Sequence, residues 1–297
     1  MGDRPAPLAA SVADYGLLLA LSALWGGSFL LIKLAVATIA PLWVAALRIT
    51  IGGFGLLLLQ RLRGHPLPRG RAVWLRLAFM GLVGNLIPFA LIAWGEIEIA
   101  SGLAAILMAM VPFMVVIIAH FVVPDEPLTT GKIVGVGLGT VGIVLLIGPS
   151  ALAGLSGHFL SELAILGATL CYAVSALAAR GLPPLGAGAA TTAMLLITSP
   201  FALCAAALFA PAPAPSLQSL LAAVVLGLFC SGFGYVLFMR ILNSAGAGFA
   251  SMNNFLVPVF GVIYGTLILS ERLPPSAFAA LVLILLGLVA QRRRWRA

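Results

Sequence analysis

The chain has 297 residues, 62% hydrophobic and only 8% charged, and its mean hydropathy is +1.19. A soluble domain carries about 25% charged and 45–50% apolar residues, so this composition cannot clothe a water-facing surface and argues against a soluble enzyme. The net charge of +8 sits at the ends of apolar runs, not on one face, which argues against a nucleic-acid partner and for basic loops beside a lipid bilayer.

A bilayer-spanning helix needs about 20 apolar residues. Breaking the chain at Pro, Gly and charge clusters gives ten such runs, over residues 15–35, 42–60, 72–94, 100–123, 131–148, 160–180, 188–209, 217–239, 245–269 and 275–291. The first run follows a polar leader, residues 1–14, with Asp3, Arg4 and Asp14. It is too long for a signal-peptide core and is expected to be retained. The runs are continuously apolar, without the period-two alternation of a β-barrel. The expected fold class is an all-α membrane protein with ten transmembrane helices. An even count puts both termini on one side. Taking that side as cytoplasm leaves thirteen of the sixteen basic residues inside and three, Lys33, Arg48 and Arg272, outside. That is the bias of a multi-pass inner-membrane protein.

The runs also repeat. At a shift of 146 residues Gly81-Leu82 falls on Gly227-Leu228, Gly102 on Gly248 and Val111-Pro112 on Val257-Pro258. At a shift of 147, Ser22 falls on Thr169, Trp25 on Tyr172, Ser28 on Ser175 and Lys33 on Arg180. The chain therefore divides into a first five-helix repeat, residues 15–148, an outer linker, 149–159, a second repeat, 160–291, and a basic cytoplasmic tail, 292–297. Five crossings per copy turn the second copy upside down, the inverted-repeat architecture of secondary transporters. An inverted-repeat channel or scaffold is the competing account.

Trp25-Gly26-Gly27-Ser28-Phe29 with Lys33, Arg48 after a short outer loop, and the paired Pro112 with Glu126 and Pro258 with Glu271 form a pattern. It resembles EamA-type members of the drug/metabolite transporter superfamily, and in length and layout the YddG-like amino-acid exporters. The resemblance implies a ten-helix inner-membrane carrier, many of whose kind export amino acids or other metabolites.

Polar groups at membrane depth face a partner or a wet cavity. Trp25, Phe89, Tyr172 and Tyr235 are the candidate amphipathic walls, and Ser28, Asn85, Ser175 and Ser231 the candidate hydrogen-bonding groups. Asn85 with Phe89 and Ser231 with Tyr235 repeat one polar–aromatic pair at i, i+4. Packing between helices competes with each of these roles. Pro112 and Pro258, near the middle of their helices, are candidate hinges that free the carbonyls of Met108 and Asn254. Asn254 and Ser251 are candidate substrate contacts, with interhelical bonding as the alternative. Lys33, Arg48, Glu96 and Glu98 are expected at the outer side, where ion pairs among them would close a gate; Arg48 could instead draw a carboxylate. Glu126 and Glu271 are expected to cap helix N-termini, and His120 to lie at the interface. Gly137, Gly139 and Gly142 match a dinucleotide-binding spacing but lie in an apolar run without a preceding strand, so they are expected to let helices approach closely.

No catalytic residue, cofactor or metal is expected, and Cys171, Cys204 and Cys230 are expected to be packing residues. The expected activity is secondary transport of small amphipathic metabolites, foremost amino acids including aromatic and hydrophobic ones, outward by alternating access. The alternative is export of lipophilic cations or drugs, which the lack of an acid in the middle of the first helix disfavours. The expected partners are the small-molecule substrate and the lipid bilayer, with the chain a monomer or homodimer.

Overall fold

A computed structural model describes residues 10–123, 128–152, 158–183 and 185–292. Glu126 and the last five residues of the basic tail lie outside them. The described residues form helices and no strand. In chain order the membrane helices are α1 (Val12–Val36), α2 (Pro41–Leu62), α3 (Arg71–Glu98), α4 (Ser101–Val122), α5 (Thr130–Ile147), α6 (Phe159–Gly181), α7 (Gly188–Phe209), α8 (Leu217–Gly246), α9 (Gly248–Leu267) and the shorter α10 (Pro275–Gln291). The first nine are long and apolar enough to cross a membrane. Phe54, Leu58, Phe121, Leu170, Phe201 and Phe209 point outward, as in a bundle whose solvent is lipid.

Local chemistry sets the helix starts. Ser11 and Asp14 form a reciprocal capping box at α1, each side chain bonding the other's backbone N–H. Pro41 opens α2, where its missing N–H costs nothing.

The helices form two repeats of five, and the main contacts between the repeats recur on their exchange. α2 lies against its counterpart α7, with Gly53 on Leu195 and Gln60 on Gly188, so the two run antiparallel. α5 lies against its counterpart α10 in the same sense, with Gly135 on Gly287 and Gly142 on Ala280. α1 packs on α9 as α6 packs on α4, α3 on α6 as α8 on α1, and α2 on α8 as α7 on α3. Two of the three dinucleotide-like glycines serve close packing: a Cβ at Gly142 would stand 3.1 Å from the Ala280 carbonyl oxygen, and one at Gly139 3.1 Å from the Phe113 ring, whereas a Cβ at Gly137 would meet nothing within 4 Å, so Gly137 brings no helix close.

Three irregularities shape the interior of the bundle. α3 and α8 each contain a π-helical stretch, Leu82–Leu86 and Leu226–Phe233, which carry the equivalent residues Asn85 and Ser231. Such wide turns are frequent at functional sites. α4 is two half-helices, Ser101–Met108 and Val111–Val122, and Pro112 sits in the first turn of the second half instead of kinking a continuous helix. In α9 the turn comes at Ser251–Met252, ahead of Asn253–Leu267, and Pro258 lies within that helix.

Candidate substrate site

Arg48 organises the interior of the seam. It lies seven residues into α2, about 10 Å from the helix end, and is only 8% exposed. The structure thus places it inside the bundle and not among outer-loop charges. Its Nε donates to Ser231 Oγ at 2.8 Å, and its guanidinium stands 3.9 Å above the Phe89 ring. α2 reaches α8 this closely because Gly52 faces Gly227: a Cβ on Gly52 would come 2.8 Å from the Gly227 carbonyl oxygen. Phe89 in turn lies 6.5 Å from the Tyr172 ring.

The other side of the seam is aromatic. Trp25 Nε1 donates to the Cys230 carbonyl at 3.0 Å, next to Ser231. Its indole meets Tyr235 edge-on at 5.9 Å and Phe238 at 5.6 Å. Trp25, Tyr172 and Tyr235 lie in the bundle yet keep part of their surface accessible. Arg48 is within electrostatic range of both tyrosines. Trp25, Phe89, Tyr172, Ser231 and Tyr235 are therefore brought together, around an arginine that sequence spacing assigns to the periphery.

Other candidates lie elsewhere. Ser28 donates to the Trp25 carbonyl of its own helix at 2.6 Å, and Ser175 ties α6 to α3 through the Met80 carbonyl at 3.2 Å. Asn85 is fully buried, and neither amide atom has a hydrogen-bond partner. Ser251 bonds the Gly248 carbonyl at 2.9 Å in the broken start of α9. Asn254 is half-buried, while its neighbour Asn253 is the buried amide, accepting from Ser22 Oγ of α1 at 2.8 Å. Which of two adjacent amides faces α1 depends on the turn at Ser251–Met252, and a continuous helical wheel misses it.

A second cluster lies at one end of the bundle. Lys33 Nζ donates to the carbonyls of Glu96, Ile97 and Ile99 at 2.6, 3.3 and 2.9 Å, capping the end of α3. Glu271 accepts from the N–H groups of Ser101 and Gly102 at 2.7 and 3.0 Å, so it caps α4, a helix of the other repeat. Glu96 is fully buried between them, and its carboxylate oxygens bond to none of these groups; Lys33 meets its backbone instead of its side chain. Glu98 lies 4.0 Å from His158, and both are solvated. At the opposite end Arg180, the counterpart of Lys33, is exposed, as is His120. The three cysteines are free thiols.

Comparison with known proteins agrees with this layout. The pattern of the EamA-like transporter family matches the chain twice, over residues 14–148 and 159–290. The chain is 28% identical to the uncharacterized inner membrane transporter YedA of Escherichia coli K12, over 93% of this chain and 89% of that protein. It is 26% identical to an uncharacterized transporter of Archaeoglobus fulgidus, over 91% and 95% of the two chains. With the S-adenosylmethionine/S-adenosylhomocysteine transporter of Chlamydia trachomatis serovar L2 it shares 28% identity, over 89% and 84%. A solved crystal structure 20% identical in sequence superposes with a TM-score of 0.69 over 95% of this chain and 99% of its own, a likeness of fold alone.

Proposed function

The chain belongs to the EamA-like transporter family, and we propose that it is a secondary carrier exporting small amphipathic metabolites, amino acids foremost, across the inner membrane by alternating access. The observation that carries this reading is the site at the seam. A guanidinium, a hydroxyl and four aromatic rings from both repeats meet there, three of the rings with accessible surface, a combination that suits a solute with one charged and one apolar end. The repeats are read as inverted across the membrane because their counterpart helices α2/α7 and α5/α10 run antiparallel, and both termini as cytoplasmic because of the bias in basic residues. The Lys33 and Glu271 bonds are read as the lock of a closed outer end, and the exposed Arg180 as the open inner one. Lys33, Glu96, Pro112 and Pro258 then belong to the moving parts.

The Chlamydia relative favours a second reading, an adenosylated amino acid as substrate. A lipophilic cation is disfavoured, since it would meet the charge of Arg48.

Purified protein in liposomes loaded with unlabelled amino acids should accumulate labelled phenylalanine by saturable counterflow. Trp25→Ala should weaken half-saturation by about tenfold, the loss of roughly 1.4 kcal/mol of ring contact. Uptake that never saturates and shows no counterflow would instead identify a channel.

A further inference from the structure

On the carrier reading above, we infer that Arg48 is the anchor for the substrate's carboxylate and that the site takes apolar carboxylic acids whether or not they carry an amine. The starting point is an incomplete ion. A guanidinium inside a membrane bundle pairs with an acid, a carbonyl or a wet cavity, yet no carboxylate or carbonyl lies within bonding distance of Arg48 among the described residues. Ser231 holds Nε and Phe89 covers one face. The two Nη groups make no hydrogen bond, and neither is sealed from accessible space. With Nε occupied, the free edge of the fork is the end-on one, whose two parallel N–H groups fit the two oxygens of a carboxylate. The Phe89 ring and the Ser231 bond fix the guanidinium plane before the ligand arrives, so little side-chain freedom is lost on binding.

Nothing comparable awaits an ammonium beside Arg48 among the described residues, and Asp14 is taken up by Ser11 and Ser244. Glu96 is within electrostatic range of Arg48 but has no accessible surface. Glu271 is held by the N–H groups of α4. Glu98 and Glu162 belong to the α3 and α6 ends beside His158. The accessible lining offers an α-amino group only ring faces and hydroxyls. The carboxylate is therefore the recognised charge and the amine is incidental.

The test uses three probes of one shape with purified full-length protein: phenylalanine, 3-phenylpropanoate without the amine, and phenylalaninamide without the carboxylate. Binding is read by calorimetry and transport by counterflow in liposomes. Phenylalanine and 3-phenylpropanoate should bind within about threefold of each other, and the amide about 10- to 100-fold more weakly, the loss of a charge-assisted pair. Arg48→Lys, which keeps the charge and removes the fork, should weaken both carboxylates by about tenfold and leave the amide unchanged. The wild-type comparison stands even if an Arg48 variant fails to fold. An amide that binds as well as phenylalanine overturns the anchor and leaves the carrier standing. Carboxylate binding without counterflow upholds the anchor and overturns the carrier. A requirement for the amine, seen as failure of 3-phenylpropanoate alone, overturns the claim that the amine is incidental.

Discussion

Gly52 shows how much of the site rests on a missing side chain. A Cβ there would stand 2.8 Å from the Gly227 carbonyl oxygen and 3.0 Å from the Ser231 Cβ, backbone and short side chain that cannot swing away. Gly52→Ala should therefore push α2 off α8, lower stability by about 1–3 kcal/mol, and reduce counterflow by misplacing Arg48 against Ser231. Gly16 has nothing within 4 Å of its would-be Cβ, so Gly16→Ala should raise stability by about 0.5–1 kcal/mol through helix propensity. Thermal unfolding in detergent, with counterflow beside it, compares the two. At this scale the sequence is half legible. Trp25, Tyr172, Phe89, Ser231 and Tyr235 announce themselves as polar or aromatic residues recurring in both repeats. Arg48 does not: its position near the start of α2 looks like a helix end, and only the packing of α2 on α8 reveals that it is enclosed. Asn253 and Asn254 are indistinguishable until the turn before them is known.

At the scale of elements, one helix end in this chain is satisfied from the other repeat. Glu271 follows α9 yet caps α4, and the charge-assisted bonds to Ser101 and Gly102 protect those two N–H groups. Glu271→Gln should make amide exchange at residues 101–102 about 10-fold faster, the loss of roughly 1.5 kcal/mol per bond. Unchanged exchange there would show that the cap does not hold that end. The ten helices are readable from sequence because length and hydropathy decide them in a bilayer. The π-helical stretches are not, since one extra residue per turn leaves the apolar composition untouched. The break beside Pro112 is hidden for a related reason: the residues around it are apolar enough to continue a helix, and the break at Ala109–Met110 is a choice of tertiary packing.

For the whole molecule, duplication determines both the shape and the mode of action proposed. The main contacts between the repeats recur when the repeats are exchanged, and the self-paired contacts α2/α7 and α5/α10 lie on the symmetry axis. On the proposed mode of action, the duplicated framework with Lys33 and Glu271 bonded at one end, and the equivalent Arg180 exposed, is one of two exchangeable arrangements. Positive-charge bias and the shifted matches make the duplication legible from sequence alone, because charge and proline are rare in this composition and their repetition is informative. The location of the lock is not legible there, since it depends on which of two equivalent ends is packed.

The most direct measurement of exchange between the two arrangements is a pair of spin-label distances in a background without Cys171, Cys204 and Cys230. One pair, Ala37→Cys with Ile97→Cys, spans the Lys33 end; the other, Arg180→Cys with Asn243→Cys, spans the opposite end. Added substrate should lengthen the first distance and shorten the second in the same molecules. Both distances lengthening together, or neither moving while substrate is transported, would contradict alternating access around the seam.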